Sequence, residues 1–363
     1  MTSILLNARF TGQALTGVQR VCYELGRRFM ALRGDVEAIA PTPPLPGYEI
    51  PVTVSPGRSE RNTGHLWEQT TLRRAAGRAD LLVNLNNTGP LGLRRQILMI
   101  HDVNYLLGPD GYSRGFRTGY RIAQAIHART AAICTVSQWS AGEIGKAFGI
   151  APETIEVIPN GADHLLEMKS DPQAVDRFGL SERPFALCVG SANPNKNFPA
   201  VMKAYQGLDD PAFDLVIVGG SSANIFQAEG TFADCPGIRR LGRVSDEELR
   251  ALMEAAAVFV MPSFLEGFGL PPIEAMTLNT PVVSSNASAL PEVCGDAALY
   301  FDPRDIGAIG RAMVRVIEDQ ELADKLRHAG KARATLFSWD NAARKFTSFA
   351  GRVLAERSKA THN

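Results

Sequence analysis

Cysteine is scarce and never closely paired. The 363-residue chain has five, Cys22, Cys134, Cys188, Cys235 and Cys294, and no C-x-x-C. An odd number of widely spaced thiols argues against a zinc ribbon and against a disulfide framework, and suits a reducing compartment. Long apolar runs are lacking as well; none approaches the roughly 20 residues needed to span a bilayer. Met1 to Arg9 has no cationic segment followed by an apolar stretch, so no secretory signal is expected. The expectation is a cytoplasmic protein that touches membrane, if at all, from the surface. Net charge is missing too: 38 basic and 38 acidic residues cancel. Global charge therefore gives no reason to expect nucleic acid.

What is present is ordinary globular composition, 45% hydrophobic and 21% charged, at a length that suggests two domains. The charge is unevenly spread. Residues 1–150 hold 17 Lys and Arg against 10 Asp and Glu, whereas the rest hold 21 against 28. A basic front half suggests a domain that faces something anionic; chance surface composition is the plain alternative. Short apolar runs alternate with helical patterns throughout. Ile4-Leu5-Leu6, Leu81-Leu82-Val83, Ile97 to Ile100, Ile133 to Val136, Phe185 to Val189, Leu215 to Val218, Val258 to Met261 and Pro281-Val282-Val283 read as buried strands. Helical periodicity marks 16–32, where Val18, Val21, Cys22, Leu25 and Phe29 share a face, and also 112–131, 139–148, 198–205, 245–256, 271–278 and the tail from Asp305. Ser245 followed by Glu248 is a capping-box signature. Alternation of this kind implies parallel sheets covered on both faces. The pattern pauses between Pro159 and Pro172 and restarts, which predicts two doubly wound, Rossmann-like α/β domains, 1–168 and 169–340. Domains of this kind bind ligands beyond the carboxyl ends of their strands, so a central cleft between two such edges is expected.

The segment richest in chemical content is Pro262-Ser263-Phe264-Leu265-Glu266-Gly267-Phe268-Gly269-Leu270-Pro271-Pro272-Ile273-Glu274. It follows a buried strand and opens a helix. Gly267 and Gly269 allow a tight turn and close ligand approach. Pro271 and Pro272 suit a first helical turn, where a missing N–H matters little. A helix N-terminus attracts phosphate. Glu266 sits in the loop, and Glu274 is expected in the first turn, able to accept bonds from ribose hydroxyls. A glycine-rich turn with a capping glutamate would explain either Glu alone; the pair is harder to dismiss.

E-G-F-G-L-P-P-I-E-A-M resembles the signature of the retaining glycosyltransferases of family 4, which have the GT-B fold of two Rossmann-like domains. Further stretches match in order: Gly17-Val18-Gln19-Arg20, Ile100-His101-Asp102-Val103, Val136-Ser137-Gln138-Trp139-Ser140, Val157 to Gly161, Val189-Gly190 leading to Asn193-Pro194-Asn195-Lys196-Asn197, Leu241 to Asp246, Ala289 to Val293 and Gly295 to Pro303. The resemblance covers the chain from about Gly17 to Pro303. It implies a nucleotide-sugar donor whose diphosphate Lys196 neutralises as the leaving group forms, with Gly17 and Gly190 allowing backbone approach. It implies His101 and Glu266 beside the reacting carbon, Arg243 and Val244 at the base, and Glu274 at the ribose. The backbone of Gly267, Phe268, Gly269 and Leu270 would grip sugar and phosphate. The family commonly has Arg where this chain has Asn195, so one cation is missing. Taken singly, Lys196 reads as a surface lysine, His101 as a histidine satisfied by backbone and Gly17 as a helix-start glycine. No D-x-D pair occurs, so no metal and no cofactor is expected. The resemblance also implies that the last segment, 341–363, is a helix crossing back to the first domain.

Arg114, Arg117 and Arg121 recur at helical spacing with Phe116 and Tyr120 between them, and Arg73, Arg74, Arg94 and Arg95 add to the basic front half. They suggest contact with an anionic lipid surface or a lipid diphosphate; a solvated helix face is the alternative. The stretch His101 to Asp110 is similar to bacterial O-antigen and exopolysaccharide mannosyltransferases. GDP-mannose is the donor this implies, a UDP-sugar the alternative, and the acceptor would be a lipid-diphosphate-linked oligosaccharide at the inner membrane face. Two rivals of other classes stay open. A dinucleotide oxidoreductase would need G-x-G-x-x-G, where the chain has Val218-Gly219-Gly220-Ser221-Ser222. A non-catalytic two-lobed sugar-binding protein would not need Lys196 together with both glutamates.

Overall fold

The computed structural model describes residues 3–57, 63–108, 111–219 and 236–360. Cys235, Gly220 to Ser222 and the Pro109-Asp110 end of the His101 stretch lie outside the described residues. The chain divides into two compact units: residues 1–106, 112–161 and 339–363 form the first, and 107–111 with 162–338 form the second. The change of unit thus falls at Gly161, ahead of the expected 168, and the return to the first unit comes at Trp339, ahead of 341.

The first unit is built on seven parallel strands: β1 (Ile4–Asn7), β2 (Val36–Ala40), β3 (Thr53–Val54), β4 (Leu81–Asn84), β5 (Gln96–Met99), β6 (Ala132–Thr135) and β7 (Glu156–Val157). Their order is β3-β2-β1-β4-β5-β6-β7, so the direction of winding reverses between β1 and β4. The strands β1, β4 and β5 are buried along their whole length, which is why they read as continuous apolar runs rather than alternating ones. The sequence did not mark β2, β3 and β7. Two of these are only two residues long, too short for a period to show.

Helix Gly17–Leu32 buries Val21, Cys22, Leu25 and Phe29, with Val18 only half-buried. Its flank carries charge: the Glu24 carboxylate lies 2.7 Å from Arg27 and 3.6 Å from Arg20 and also pairs with Arg28. Arg28 reaches on to Asp340 at 3.1 Å. That residue belongs to the last helix, Trp339–Ala360, which packs along Gly17–Leu32. Phe29 and Phe346 meet edge to face, with centroids 5.0 Å apart and planes at 88°.

The second unit carries six parallel strands: β8 (Phe185–Gly190), β9 (Asp214–Gly219), β10 (Ile238–Gly242), β11 (Val258–Met261), β12 (Val282–Ser285) and β13 (Ala298–Phe301). Their order is β10-β9-β8-β11-β12-β13, reversing between β8 and β11. Helices Phe198–Gln206 and Ile306–Glu318 cover the sheet through Val201, Met202, Tyr205, Ile309 and Met313. Helix Asp246–Ala255 starts in the capping box read from sequence, with Ser245 and Glu248 bonding each other's backbone N–H at 3.2 and 2.8 Å. The sequence missed β10, whose Arg239 and Arg240 are exposed at the sheet edge. Two doubly wound parallel-sheet units of this kind constitute the GT-B type of architecture.

Phe346 is fully buried against Phe29, and deleting a ring of that kind from a core removes about 3–5 kcal/mol. Phe346→Ala is expected to lower the urea midpoint of the first unit correspondingly. An unchanged midpoint would show that the last helix adds nothing to that unit's stability.

Candidate active site

In an open parallel sheet the loops diverge where the strand order reverses, and the crevice at the carboxyl ends is the natural ligand position. In the second unit that place lies between β8 and β11. The loop after β8 supplies Gly190, Asn195 and Lys196; the loop after β11 supplies Glu266 to Gly269. Gly190 faces Gly219 across the ladder. Gly219 has φ +94°, and a Cβ there would stand 2.2 Å from the Gly190 carbonyl oxygen, so only glycine fits. The chain then makes a short turn, Pro194–Lys196, in which the Asn193 side chain accepts from the Asn195 N–H at 3.0 Å.

Several hydrogen bonds fasten the two loops. Phe264 N–H donates to the Asn195 carbonyl at 2.9 Å. Asn197, at φ +56°, donates to the carbonyls of Pro262 and Pro303 at 3.2 and 2.9 Å. Ser288, also at positive φ, accepts from the Glu266 N–H at 2.9 Å. Held this way, Lys196 Nζ lies 2.7 Å from Glu266 Oε1, with the side chains 21% and 11% exposed. A half-buried ammonium beside a carboxylate is the strong kind of ion pair. Neither Ser288 nor the anchoring role of Asn197 is signalled by local sequence, since their partners lie 22 and at least 65 residues away.

Gly269, at φ +96°, ends the loop, and a Cβ there would meet Leu290 at 2.6 Å. Helix Leu270–Thr277 follows immediately, with no acidic residue in its first turn. Glu274 is therefore in the second turn, not the first as expected, because the helix begins at Leu270 ahead of the prolines. Those prolines also remove two of the first four N–H groups, so only Gly269 and Leu270 among them offer donors to an anion. Glu274 is buried and sits 3.3 Å from Nε2 of His164, a partner the sequence reading missed. Phe268 and Leu270 are buried. Arg243 is exposed and Val244 half-buried just past edge strand β10, on the far side of β9 from the β8 loop.

The first unit has its own reversal, between β1 and β4. Gly17 opens the helix after β1, and a Cβ there would meet nothing within 4 Å. His101 follows β5. Its backbone N–H donates to Asn87 Oδ1 and its carbonyl accepts from Ser140 Oγ, at 2.8 and 3.1 Å. Its Nε2 lies 2.8 Å from the Leu85 carbonyl, so that nitrogen must carry the proton. Burial pushes its pKa down to about 4; the ring is neutral near pH 7. Asp102 accepts from the Asn104 N–H at 2.9 Å.

Helix Arg114–Thr130 is capped by Ser113. Arg114 and Arg121 are exposed and Arg117 is half-buried. Tyr112, Phe116 and Tyr120 stack in succession along it, at 5.5 and 4.2 Å between centroids. Among the described residues no group of three or more His, Cys, Asp or Glu gathers as a metal site would require, and no helix is long and apolar enough to cross a membrane.

Comparison with known proteins gives two family matches, glycosyltransferase family 4 over residues 15–164 and glycosyl transferases group 1 over residues 172–333. The chain is 33% identical over 264 residues to O-antigen chain mannosyltransferase B of Escherichia coli, covering 69% of each protein. It is 28% identical over 270 residues to the serotype-specific mannosyltransferase WbdA of Escherichia coli, covering 69% of this chain and only 32% of WbdA. Among solved structures, sucrose-phosphate synthase of Thermosynechococcus elongatus superposes with TM-score 0.77 at 20% identity, over 98% of this chain and 100% of that one. HepE of Anabaena, solved with UDP and glucose, gives TM-score 0.77 at 18% identity over 97% and 100%. At such identities these two structures speak for the fold.

The buried, neutral His101 has a consequence for acid stability. Its unfolded pKa is about 6.5, so between that value and about 4 the unfolded chain binds the extra proton. Stability attributable to this ring is complete above pH 6.5 and lost as pH falls towards 4, by up to about 3 kcal/mol. Urea titrations at pH 7 and pH 4.5 should show a smaller pH-dependent loss in His101→Asn than in the wild type. Equal losses would place the acid sensitivity elsewhere.

Proposed function

Because the chain belongs to glycosyltransferase family 4 and is a glycosyltransferase, we propose that it moves one sugar, with retention, from a nucleotide donor to a lipid-diphosphate-linked oligosaccharide in cell-surface polysaccharide synthesis. The observation that carries this reading is the Lys196–Glu266 pair, 2.7 Å apart at the carboxyl edge where the strand order reverses. Breaking the bond between the anomeric carbon and the diphosphate leaves the electron pair on a phosphate oxygen. A fixed ammonium stabilises that developing charge more than the ground state, which is what lowers a barrier. In the free protein Glu266 occupies the ammonium. The donor diphosphate takes that place, and Glu266 turns its carboxylate to the sugar, whose anomeric carbon gains positive character as the bond lengthens.

Asn195 carries no charge, so within the second unit the diphosphate relies on Lys196, the Gly190 turn and the Gly267 to Leu270 backbone, without a metal ion. His101, neutral and bonded through Nε2, presents a hydrogen-bonding rather than a cationic group to the sugar. Arg243 and Val244 face the base, and Glu274 the ribose.

Two donors have separate support. A UDP-sugar fits the UDP seen in HepE; mannose from GDP-mannose fits the names of the O-antigen relatives. The acceptor reading draws on Arg114, Arg117 and Arg121. Arg114 opens the helix, where a cation opposes the helix dipole by about 0.3–1 kcal/mol, and an anionic lipid or diphosphate offsets that. This supports a location on the cytoplasmic face of the membrane, as a peripheral visitor.

Lys196→Ala is expected to lower turnover by orders of magnitude with the fold intact by circular dichroism; near-normal activity would refute the leaving-group role. Glu266→Gln should bind free nucleoside diphosphate several-fold tighter than the wild type in calorimetry, since the ammonium loses its internal rival, while turning over more slowly. A thermal-shift series with UDP, GDP, ADP and their sugars selects the donor; stabilisation by one base fixes it. Reversing Arg114, Arg117 and Arg121 together should reduce binding to vesicles containing anionic lipid, and unchanged binding would make them a solvated face.

A further inference from the structure

We infer that His164 is a positioning residue for the nucleotide: it holds the Glu274 carboxylate in the orientation that receives the ribose hydroxyls, so that recognition of ribose depends on a histidine which never touches the ligand. The inference rests on the reading that Glu274 contacts ribose, and deepens it. Glu274 is 8% exposed and His164 2% exposed, with Nε2 3.3 Å from Oε1. A carboxylate so far out of water needs a partner, and the buried His164 ring nitrogen at 3.3 Å is the polar group that stands beside it. Nε2 stands beside Oε1, and the other oxygen, Oε2, is the one assigned to the ribose.

The backbone that carries the ring is held on both sides of His164. Ala162 N–H donates to the Phe337 carbonyl at 3.2 Å, just before the short helix His164–Glu167. Arg250 donates to the carbonyls of Leu165, at 2.8 Å, and Met168. The Phe337 ring packs edge to face on Phe268 at 5.5 Å, in the loop that leads into the Glu274 helix. The segment carrying His164 and the helix carrying Glu274 are thus tied to the same loop, and the distance between the two side chains is set by packing rather than by a flexible reach. A first partner that fixes the direction of a binding group is the usual reason such a residue is needed.

The test is calorimetry on the intact chain with whichever of UDP and GDP binds the wild type, the 2′,3′-dideoxy form of that nucleotide, and inorganic pyrophosphate. The expected result is that His164→Ala weakens the ribonucleotide by about tenfold, near 1.4 kcal/mol, and leaves the dideoxy form and pyrophosphate unchanged. His164→Gln, which keeps a donor near the same place, should restore the ribonucleotide to within about twofold of wild type. The double variant with Glu274→Ala should lose no more than Glu274→Ala alone, as expected for residues acting as a unit. Equal weakening of all three ligands by His164→Ala would mean a structural role and overturn the inference, as would no weakening at all. Glu274→Ala separates the two layers. If it removes the preference for ribose and His164→Ala does not, the positioning role alone falls; if it leaves that preference intact, the reading of Glu274 falls and takes the inference with it.

Discussion

A positive charge held half out of water, the Lys196 ammonium at the carboxyl edge of the sheet, is the constraint from which the rest of the second unit follows. An ammonium in that setting needs a counter-charge at all times. The protein provides one from a different loop, Glu266, rather than from a neighbour in sequence. That choice requires β8 and β11 to lie side by side, and they do so because the winding reverses between them. It also requires both loops to keep their shape when no ligand is present. The bonds from Asn197, Phe264 and Ser288 perform that service, and positive-φ residues at Asn197, Gly269 and Ser288 are the strained turns that come with it.

The first unit meets a different demand. Its carboxyl edge carries a neutral, buried histidine bonded to backbone rather than an ion pair. Its basic helix opens on Arg114, where the backbone dipole disfavours a cation, and an aromatic ladder runs beside the arginines. The last helix completes this unit by covering the apolar stripe of Gly17–Leu32, and the Glu24 cluster ends on Asp340 of that helix. A segment at the far end of the chain is therefore part of the first unit's core.

Much of the second unit's site was legible before any coordinates. The buried strands β8, β9 and β11 and the capping box of Asp246–Ala255 announce themselves by apolar continuity and by local capping chemistry. The glycine–proline loop likewise points to Glu266, and position after a strand to Lys196. Illegible were the edge strand β10, masked by its two arginines, and the two-residue strands β3 and β7. The helix start at Leu270 was misjudged because prolines tolerate several of the opening positions. Asn197, Ser288 and His164 escaped notice because their partners are remote in sequence, and an isolated Asn, Ser or His carries no pattern.

The sequence by itself determined the two parallel-sheet units, most of their buried central strands and the residue types available at the strand ends, since periodicity, capping and turn chemistry are local. Only the tertiary structure decided which of those residues meet: that Lys196 faces Glu266, that Glu274 leans on His164, that His101 stays uncharged and that the final helix closes the first core. Those pairings depend on strand order and on burial, both of which emerge when distant segments pack together and water leaves.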